Sequence, residues 1–361
     1  MTDIRLSNYR WPAEWEPHTS TWVAWPVNPD TWPGLFEKIP AAFAGFVAAI
    51  AVFEPVDILA GGEGVTDSAR GLVETACEQA QAVFPVRFHD IAVNDSWCRD
   101  YGPVFLNRRA SVTEGPAQIM LDWDYNAWGG KYPPWDRDVA VVQQIAAQLQ
   151  VPAVRPGIIL EGGAIEGNGA GTLLTTDNCL LNKNRNPQLD RAAMERLLKT
   201  HLQTDTIVWL PGHGILGDDT DGHIDQVARF VNDRTVLVAA PYDADAPEAA
   251  DLRANFDAVA AAQNQAGVQL QPVELKMPAP KYQQNHRLPA CYCNFYIANK
   301  GIIVPTFDDP ADETALQVLQ HAFPNHRIVG VSAIDLIWGL GAFHCMTQQQ
   351  PATGSSPSPS P

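Results

Sequence analysis

Residues 301–331 read GIIVPTFDDPADETALQVLQHAFPNHRIVGV. Three pieces separate at once. Ile302–Val304 is a short β-branched run, read as a buried strand. Asp309 can cap a following helix, Pro310 suits its first turn, and Asp312 lies three residues after the cap. Ala315, Leu316, Leu319, Ala322 and Phe323 fall on one helical face, so the spacing predicts a helix over Ala311–Phe323. Ile328–Val331 reads as a second strand. Strand, helix, strand in that order is the building pattern of an α/β fold.

The pattern recurs on both sides. Helices are predicted at Leu35–Phe53, Thr66–Phe84, Asp136–Leu149, Gln188–His201 and Glu248–Ala266. Strands are predicted at Val56–Leu59, Ile158–Leu160, Leu173–Leu174, Ile207–Leu210 and Val236–Ala239. Gly167-Asn168-Gly169-Ala170-Gly171 joins two strands and reads as a hairpin turn, because no helix follows to cradle a phosphate. No repeat of fixed period and no long linker is visible, so one domain is expected over residues 1–350. The tail 351–361, PATGSSPSPSP, cannot bury apolar surface and is expected to be disordered.

Composition narrows the function. Lys plus Arg is 24 and Asp plus Glu is 41, a formal charge of −17. Nucleic-acid binders need a cationic face, so no nucleic-acid partner is expected. A small cationic substrate suits the field, although an acidic soluble surface is the plainer reading. No run of 18 apolar residues occurs, so no membrane span is expected. The N-terminus lacks a basic-then-apolar signal. Six cysteines at 77, 98, 179, 291, 293 and 345 form no disulfide framework, and a cytoplasmic setting follows as the expectation. There is no P-loop, H-E-x-x-H or paired C-x-x-C.

Four polar clusters interrupt the apolar runs. NDSWCRDYGP at 94–103 places two carboxylates, Arg99 and Trp97 before a Gly-Pro turn. Alone it reads more readily as a loop-stabilising ion pair than as a site. LEGG at 160–163 puts Glu161 at the end of an apolar run. GDDTDGHID at 217–225 is not an EF-hand, since the spacing and distal Glu are missing. Were it extended, His223 and Asp225 would share a face. In GLGAFHCMTQQ at 339–349 the glycines would let a substrate approach the backbone closely. Cys345 follows them; a buried free cysteine is usually inert, but one with a distant His and Asp fits thiol catalysis. A zinc set of His286, Cys291, Cys293, His344 and Cys345 matches no common ligand spacing, and the Cys291–Tyr296 stretch alternates like a strand.

Together the clusters are far more specific than any one alone. With PAEWEPH at 12–18, DWDYNAWGG at 122–130, LLNKNRNP at 180–187, NFYIANKGIIVP at 294–305 and FHCMTQQQPA at 343–352, the chain resembles the agmatine deiminase family. This is also called the Porphyromonas-type peptidylarginine deiminase family, within the guanidino-modifying pentein superfamily. The resemblance runs over nearly the whole chain.

It implies a pentein-type pseudo-fivefold α/β propeller of ββαβ units. It implies Cys345 as nucleophile, His223 as general acid/base, Asp100 and Asp225 as the carboxylates that hold a guanidinium, and Glu161 as the acid beside the histidine. Trp97 and Asp219 are implied near the substrate. Agmatine hydrolysis to N-carbamoylputrescine and ammonia is the implied activity, serving putrescine synthesis. Free, C-terminal or peptidyl arginine is the alternative substrate, and a non-catalytic binder of the same fold is a further one. No metal or other cofactor is implied, and a homodimer is a further expectation. LEGG is followed here by Ala164-Ile165-Glu166, where family members commonly carry a Ser-Ile-His type stretch.

The implied residues suit the chemistry. A guanidinium is a planar cation and a poor electrophile. Two carboxylates can fix its plane and leave one face open to a thiolate. The departing nitrogen needs a proton, which a histidine can give. The carboxylates oppose thiolate formation, so substrate binding is expected to help ionise Cys345.

Overall fold

The computed structural model describes residues 4–354. Among these, five sheets of three or four strands share one internal pattern: an antiparallel pair, then a parallel neighbour reached across a helix. In one, Tyr296–Ala298 runs antiparallel to Gly301–Thr306, which pairs in parallel with Arg327–Ser332 across the helix Ala311–Ala322. Ile302 lies opposite Ile328 and Ile303 opposite Val329, so β-branched residues pack at the centre of the sheet. The helix entry is fixed reciprocally. Asp309 Oδ1 accepts from Ala311 N–H at 3.0 Å, and Asp312 Oδ2 accepts from Asp309 N–H at 3.1 Å.

The other four follow suit. Val104–Arg108 and Gln118–Leu121 are antiparallel, and Ala153–Val154 joins in parallel after the helix Asp136–Leu149. Glu166–Gly167, Thr172–Thr176 and Thr206–Leu210 do the same around Arg191–Leu202. Ala228–Phe230, Thr235–Ala240 and Gln271–Lys276 do so around Ala249–Ala261. The fifth sheet joins the two ends of the chain. Thr347–Pro351 lies antiparallel to His18–Ala24, which pairs in parallel with Val56–Leu59 across Ile39–Ala51; Val86–His89 completes it. A repeated structure thus stands on a sequence without visible repeats. The pattern needs buried apolar strands in order, and many residue combinations supply them.

Several expectations are corrected. Ile158–Leu160 forms only a bridge, Asp124 to Ile159, because the chain turns into a one-turn helix at Gly162–Ala164. The helix begun at Ala249 stops at Ala261, short of Ala266. Asn264 Oδ1 accepts from Ala266 and Val268 N–H and folds the chain into a local turn instead. Cys291–Tyr296 is not a continuous strand: one helical turn spans Tyr292–Asn294, capped by the Cys291 sulfur. The stretch from His223 to Asp225 is not extended either. His223 caps a one-turn helix, Ile224–Val227. The expected tail begins too early, since Pro351 pairs with His18 and Ala352 N–H donates to Pro17 O at 2.7 Å. The disorder expected at residues 355–361 lies outside the described residues. No described helix is long and apolar enough to cross a membrane.

Candidate active site

Cys345 sits where a loop enters the last strand, and its neighbours pin it there. Phe343 stacks on Phe46 with ring centroids 4.3 Å apart and planes 9° from parallel. Asn294 Oδ1 accepts from the N–H groups of Ala342 (3.2 Å) and Cys345 (3.3 Å), while its Nδ2 donates to Cys345 Sγ at 3.1 Å. One amide side chain therefore fixes both the backbone and the sulfur. The glycines before Cys345 do admit a close approach, but of a tryptophan. A Cβ at Gly341 would lie 2.5 Å from the Trp97 ring, and one at Gly339 would lie 2.8 Å from it.

Three further side chains converge on Gly163. A Cβ there would stand 2.6 Å from His223 Nδ1, 2.7 Å from Asp100 Oδ1 and 3.1 Å from Asp225 Oδ2. Only glycine leaves room for them. Asp100 rises from the turn Cys98–Tyr101; its Oδ1 accepts from Gly163 N–H at 3.0 Å, and its Oδ2 accepts from Trp128 Nε1–H at 2.9 Å. His223 Nδ1 lies 3.6 Å from Asp100 Oδ1. Asp225 Oδ2 stands 3.4 Å from Cys345 Sγ and 2.8 Å from His344 Nδ1. Its Oδ1 is buried without a partner, as are both ring nitrogens of His223 and Oε2 of Glu161. Buried polar atoms are ordinarily paired, so this concentration marks a place prepared for a ligand.

Glu161 reaches the same place by a different contact from the one expected. Its Oε1 accepts from Arg185 Nε–H at 2.7 Å, with both side chains fully buried. It lies beside His223 without a hydrogen bond to it; polar atoms of Glu161, Cys179 and His223 fall within 4.8 Å of one another.

The charges follow from this crowding. Burial pushes the Cys345 thiol well above its ordinary range, and Asp225 and Asp100 push it further, so it rests protonated. Burial raises Asp100 to about 6, with His223 opposing and Asp225 and Glu161 reinforcing the rise. Burial would depress His223, but Asp100, then Cys179 and Glu161, outweigh it and hold the imidazole well above its usual value. Asp225 is also buried, yet the His344 hydrogen bond and charge hold it below the usual range.

A cavity of about 970 Å³ opens onto Asp100, Trp97 and Cys345, and Asp219 is also on its wall. Asp219 Oδ2 accepts from Tyr132 O–H, and the Asp219 carbonyl accepts from Lys131 Nζ. His223, Asp225 and Glu161 stand behind this lining, around Gly163. The weighed zinc set does not form: both His344 nitrogens face carboxylates, and Cys291 Sγ donates to Gln226 O at 3.0 Å.

The structure gathers Cys345, His223, Asp100, Asp225 and Glu161 near Gly163 and sets Trp97 and Asp219 on the cavity wall; sequence reasoning misses the residues that hold them. Trp128, Arg185 and Asn294 lie inside stretches that carry the family resemblance, as do Glu14 and His344. Their membership in those stretches was the available signal; nothing local marked which atom each would hold.

A family model described as Porphyromonas-type peptidyl-arginine deiminase matches residues 10–351. The agmatine deiminase of Stutzerimonas stutzeri is 38% identical over 371 residues, covering 96% of this chain and 97% of that one. The agmatine deiminase of Pseudomonas fluorescens is equally similar, at 38% with the same coverage. A solved structure of the Enterococcus faecalis agmatine deiminase superposes with a TM-score of 0.86 at 31% identity, covering 96% of this chain and 97% of that one. An amidinotransferase from Microseira wollei, at 12% identity and a TM-score of 0.50 over 98% of this chain, shares the mixed α/β fold.

Proposed function

The chain belongs to the Porphyromonas-type peptidyl-arginine deiminase family, and from that premise we propose that it hydrolyses agmatine to N-carbamoylputrescine and ammonia. One observation carries the mechanism. Asp100, Asp225 and His223 converge on Gly163 beside Cys345, with Oδ1 of Asp225 and Oε2 of the nearby Glu161 left unpaired. A planar cation with several N–H groups is the ligand such a site lacks.

In this reading Asp100 and Asp225 grip the guanidinium edge-on. Glu161, steadied by Arg185, offers its free oxygen nearby. Trp97 walls the passage, and Asp219 meets the distal ammonium. The bound cation removes part of the repulsion that keeps Cys345 protonated, and the thiol proton passes to solvent, since His223 already carries its own. The thiolate then attacks the guanidino carbon. His223 gives a proton to the departing nitrogen, which leaves as ammonia, and an amidino-thioether remains. Water attacks that carbon while His223 takes a proton from it. The C–S bond breaks, thiolate returns, and the ureido product departs.

The five sheets of like pattern support the finer fold reading, a pseudo-fivefold α/β propeller around a central funnel. Residues up to 350 then form one catalytic domain. The free thiols at all six cysteines support a reducing, cytoplasmic setting, and the −17 charge supports a cationic small substrate over nucleic acid. A homodimer rests on the family resemblance alone, and sedimentation would test it.

The deciding assay measures ammonia and ureido product from agmatine, arginine and an arginyl peptide in parallel, with Cys345→Ala as blank. Preference for agmatine is expected. Preference for arginine or peptide would keep the chemistry and overturn the substrate.

A further inference from the structure

Behind Asp225 lies a layer of buried charge that the mechanism above does not use. His344 is its centre. The ring is fully buried, with Nδ1 2.8 Å from Asp225 Oδ2 and Nε2 2.8 Å from Glu14 Oε1. Glu14 is held in turn by Arg99 Nη1 at 3.2 Å and Arg229 Nη2 at 2.5 Å. Arg229 Nε donates to Glu166 Oε2 at 2.9 Å, and its Nη1 donates to the carbonyls of Cys293 and Phe295.

The protonation of this layer can be read from its geometry. Three carboxylates (Glu14, Glu166, Asp225) face two guanidinium groups, so one further proton balances the charge. Burial, Arg229 and Arg99 push the His344 imidazole down, and burial pushes Glu166 up to about 8. Those tendencies would place the proton on Glu166. The contacts place it on His344. A bare ring nitrogen 2.8 Å from a carboxylate oxygen would set lone pair against lone pair, whereas both Glu166 oxygens already accept, from Arg229 Nε and from Phe230 N–H. With both ring nitrogens protonated, Nδ1 carries a proton toward Asp225.

That bond divides the work of one carboxylate. Oδ2 is engaged by His344 and faces Cys345 Sγ, while Oδ1 is buried and unpartnered. A carboxylate free to rotate would present either oxygen and lose its aim. We propose that His344 is a positioning residue for substrate capture: it locks Oδ2 of Asp225 and so presents Oδ1 to the guanidinium. Glu14, from the PAEWEPH stretch, fixes the far side of the ring, tying the N-terminal stretch to the residue before the nucleophile. The inference rests on the guanidine-hydrolase reading and adds a residue to it.

The two ring nitrogens allow a split test. In His344→Asn the amide stands near Nδ1 and can still donate to Asp225. In His344→Gln the amide reaches toward Glu14 and the Asp225 bond is lost. His344→Gln should raise KM for agmatine at least about tenfold, with a smaller fall in kcat, because a ground-state grip is weakened. His344→Asn should raise it by less than about a third as much. A role confined to stability would lower the melting temperature in both and leave the KM values alike. A second readout is agmatine affinity by calorimetry in the Cys345→Ala background. There, His344→Gln should add less than about twofold to the loss caused by Asp225→Asn, since the two act through one group. Equal KM for the Gln and Asn variants, or full multiplicative losses in the cycle, would overturn the inference. His344→Ala, which also lacks the Nδ1 donor, replaces His344→Gln should the latter not fold. Failure of the unmodified protein to release ammonia from any guanidine would overturn the function reading instead, and the calorimetric cycle would still decide this one.

Discussion

The Asp225 carboxylate and the Cys345 thiol lie 3.4 Å apart, Oδ2 to Sγ. On the roles proposed above, the group that holds the substrate therefore sits against the atom that must become negative to attack it. The two requirements oppose each other until a cation comes between them. This arrangement links nucleophile activation to substrate identity, because a neutral molecule of the same shape would leave the thiol protonated.

Titrating that thiol tests the link. Burial, Asp225 and Asp100 all raise it, so the free protein should titrate well above the ordinary thiol range. Binding of an unreactive guanidine should lower the value by at least about one unit, which is ~1.4 kcal/mol of differential interaction. Thiol absorbance followed against pH, with and without the guanidine, gives the answer. An identical curve in both conditions would refute substrate-assisted ionisation.

Cys345→Ala should lose all measurable ammonia release from agmatine. Its fold should survive, since the loop is also held by Phe343 on Phe46 and by the Asn294 bonds to Ala342 and Cys345 N–H. Turnover assayed beside a thermal melt checks both halves. Retained turnover in a clean preparation removes Cys345 as nucleophile.

Asp100 titrates near 6 in the folded protein, above its ordinary 3.8. The kcat/KM profile should therefore fall as pH drops through about 6, where the guanidinium loses one of its two charged partners. Stability moves the other way. Between the two values the folded state binds more protons than the unfolded state, so this group's contribution is full below 3.8 and declines as pH rises toward 6. Asp100→Asn should abolish most activity yet raise stability above pH 6 by about 1–3 kcal/mol, with the gain shrinking toward pH 4. Melts at pH 5 and pH 8 measure it; a variant less stable at both would contradict the burial argument.

Gly163→Ala should cripple the site with little change to the rest of the fold. The added methyl would fall 2.6 Å from His223 Nδ1 and 2.7 Å from Asp100 Oδ1. Overpacking of this kind costs about 1–3 kcal/mol in stability. In activity we expect a loss of about a hundredfold or more, because misplacing reacting groups by an ångström has that effect. Near-wild-type kinetics would mean the convergence on Gly163 is not catalytic.

What could be read from the sequence divides by range of interaction. The helix at Ala311 was legible because Asp309, Pro310 and Asp312 act within four residues of each other. The Asn168 hairpin was legible for the same reason, its side chain accepting from Ala170 and Thr172 N–H. The seven candidate site residues came from the family resemblance, not from local pattern; the one local argument, that His223 and Asp225 alternate on a strand, rested on a conformation the chain does not adopt. The supporting contacts were not legible at all. Asn294 and Cys345 are 51 residues apart, and Glu14 and His344 are 330 apart. No local rule registers a side chain that meets its partner only after separate sheets assemble.

The pairing of Thr347–Pro351 with His18–Ala24 has a consequence for fragments of this chain. The strand next to Cys345 comes after every other described strand, and its antiparallel neighbour is the first long one. A fragment that stops short of Thr347 keeps the proposed binding carboxylates, Asp100 and Asp225, and loses the strand that seats the proposed nucleophile. Such a fragment is expected to bind a guanidine at most and not to turn it over.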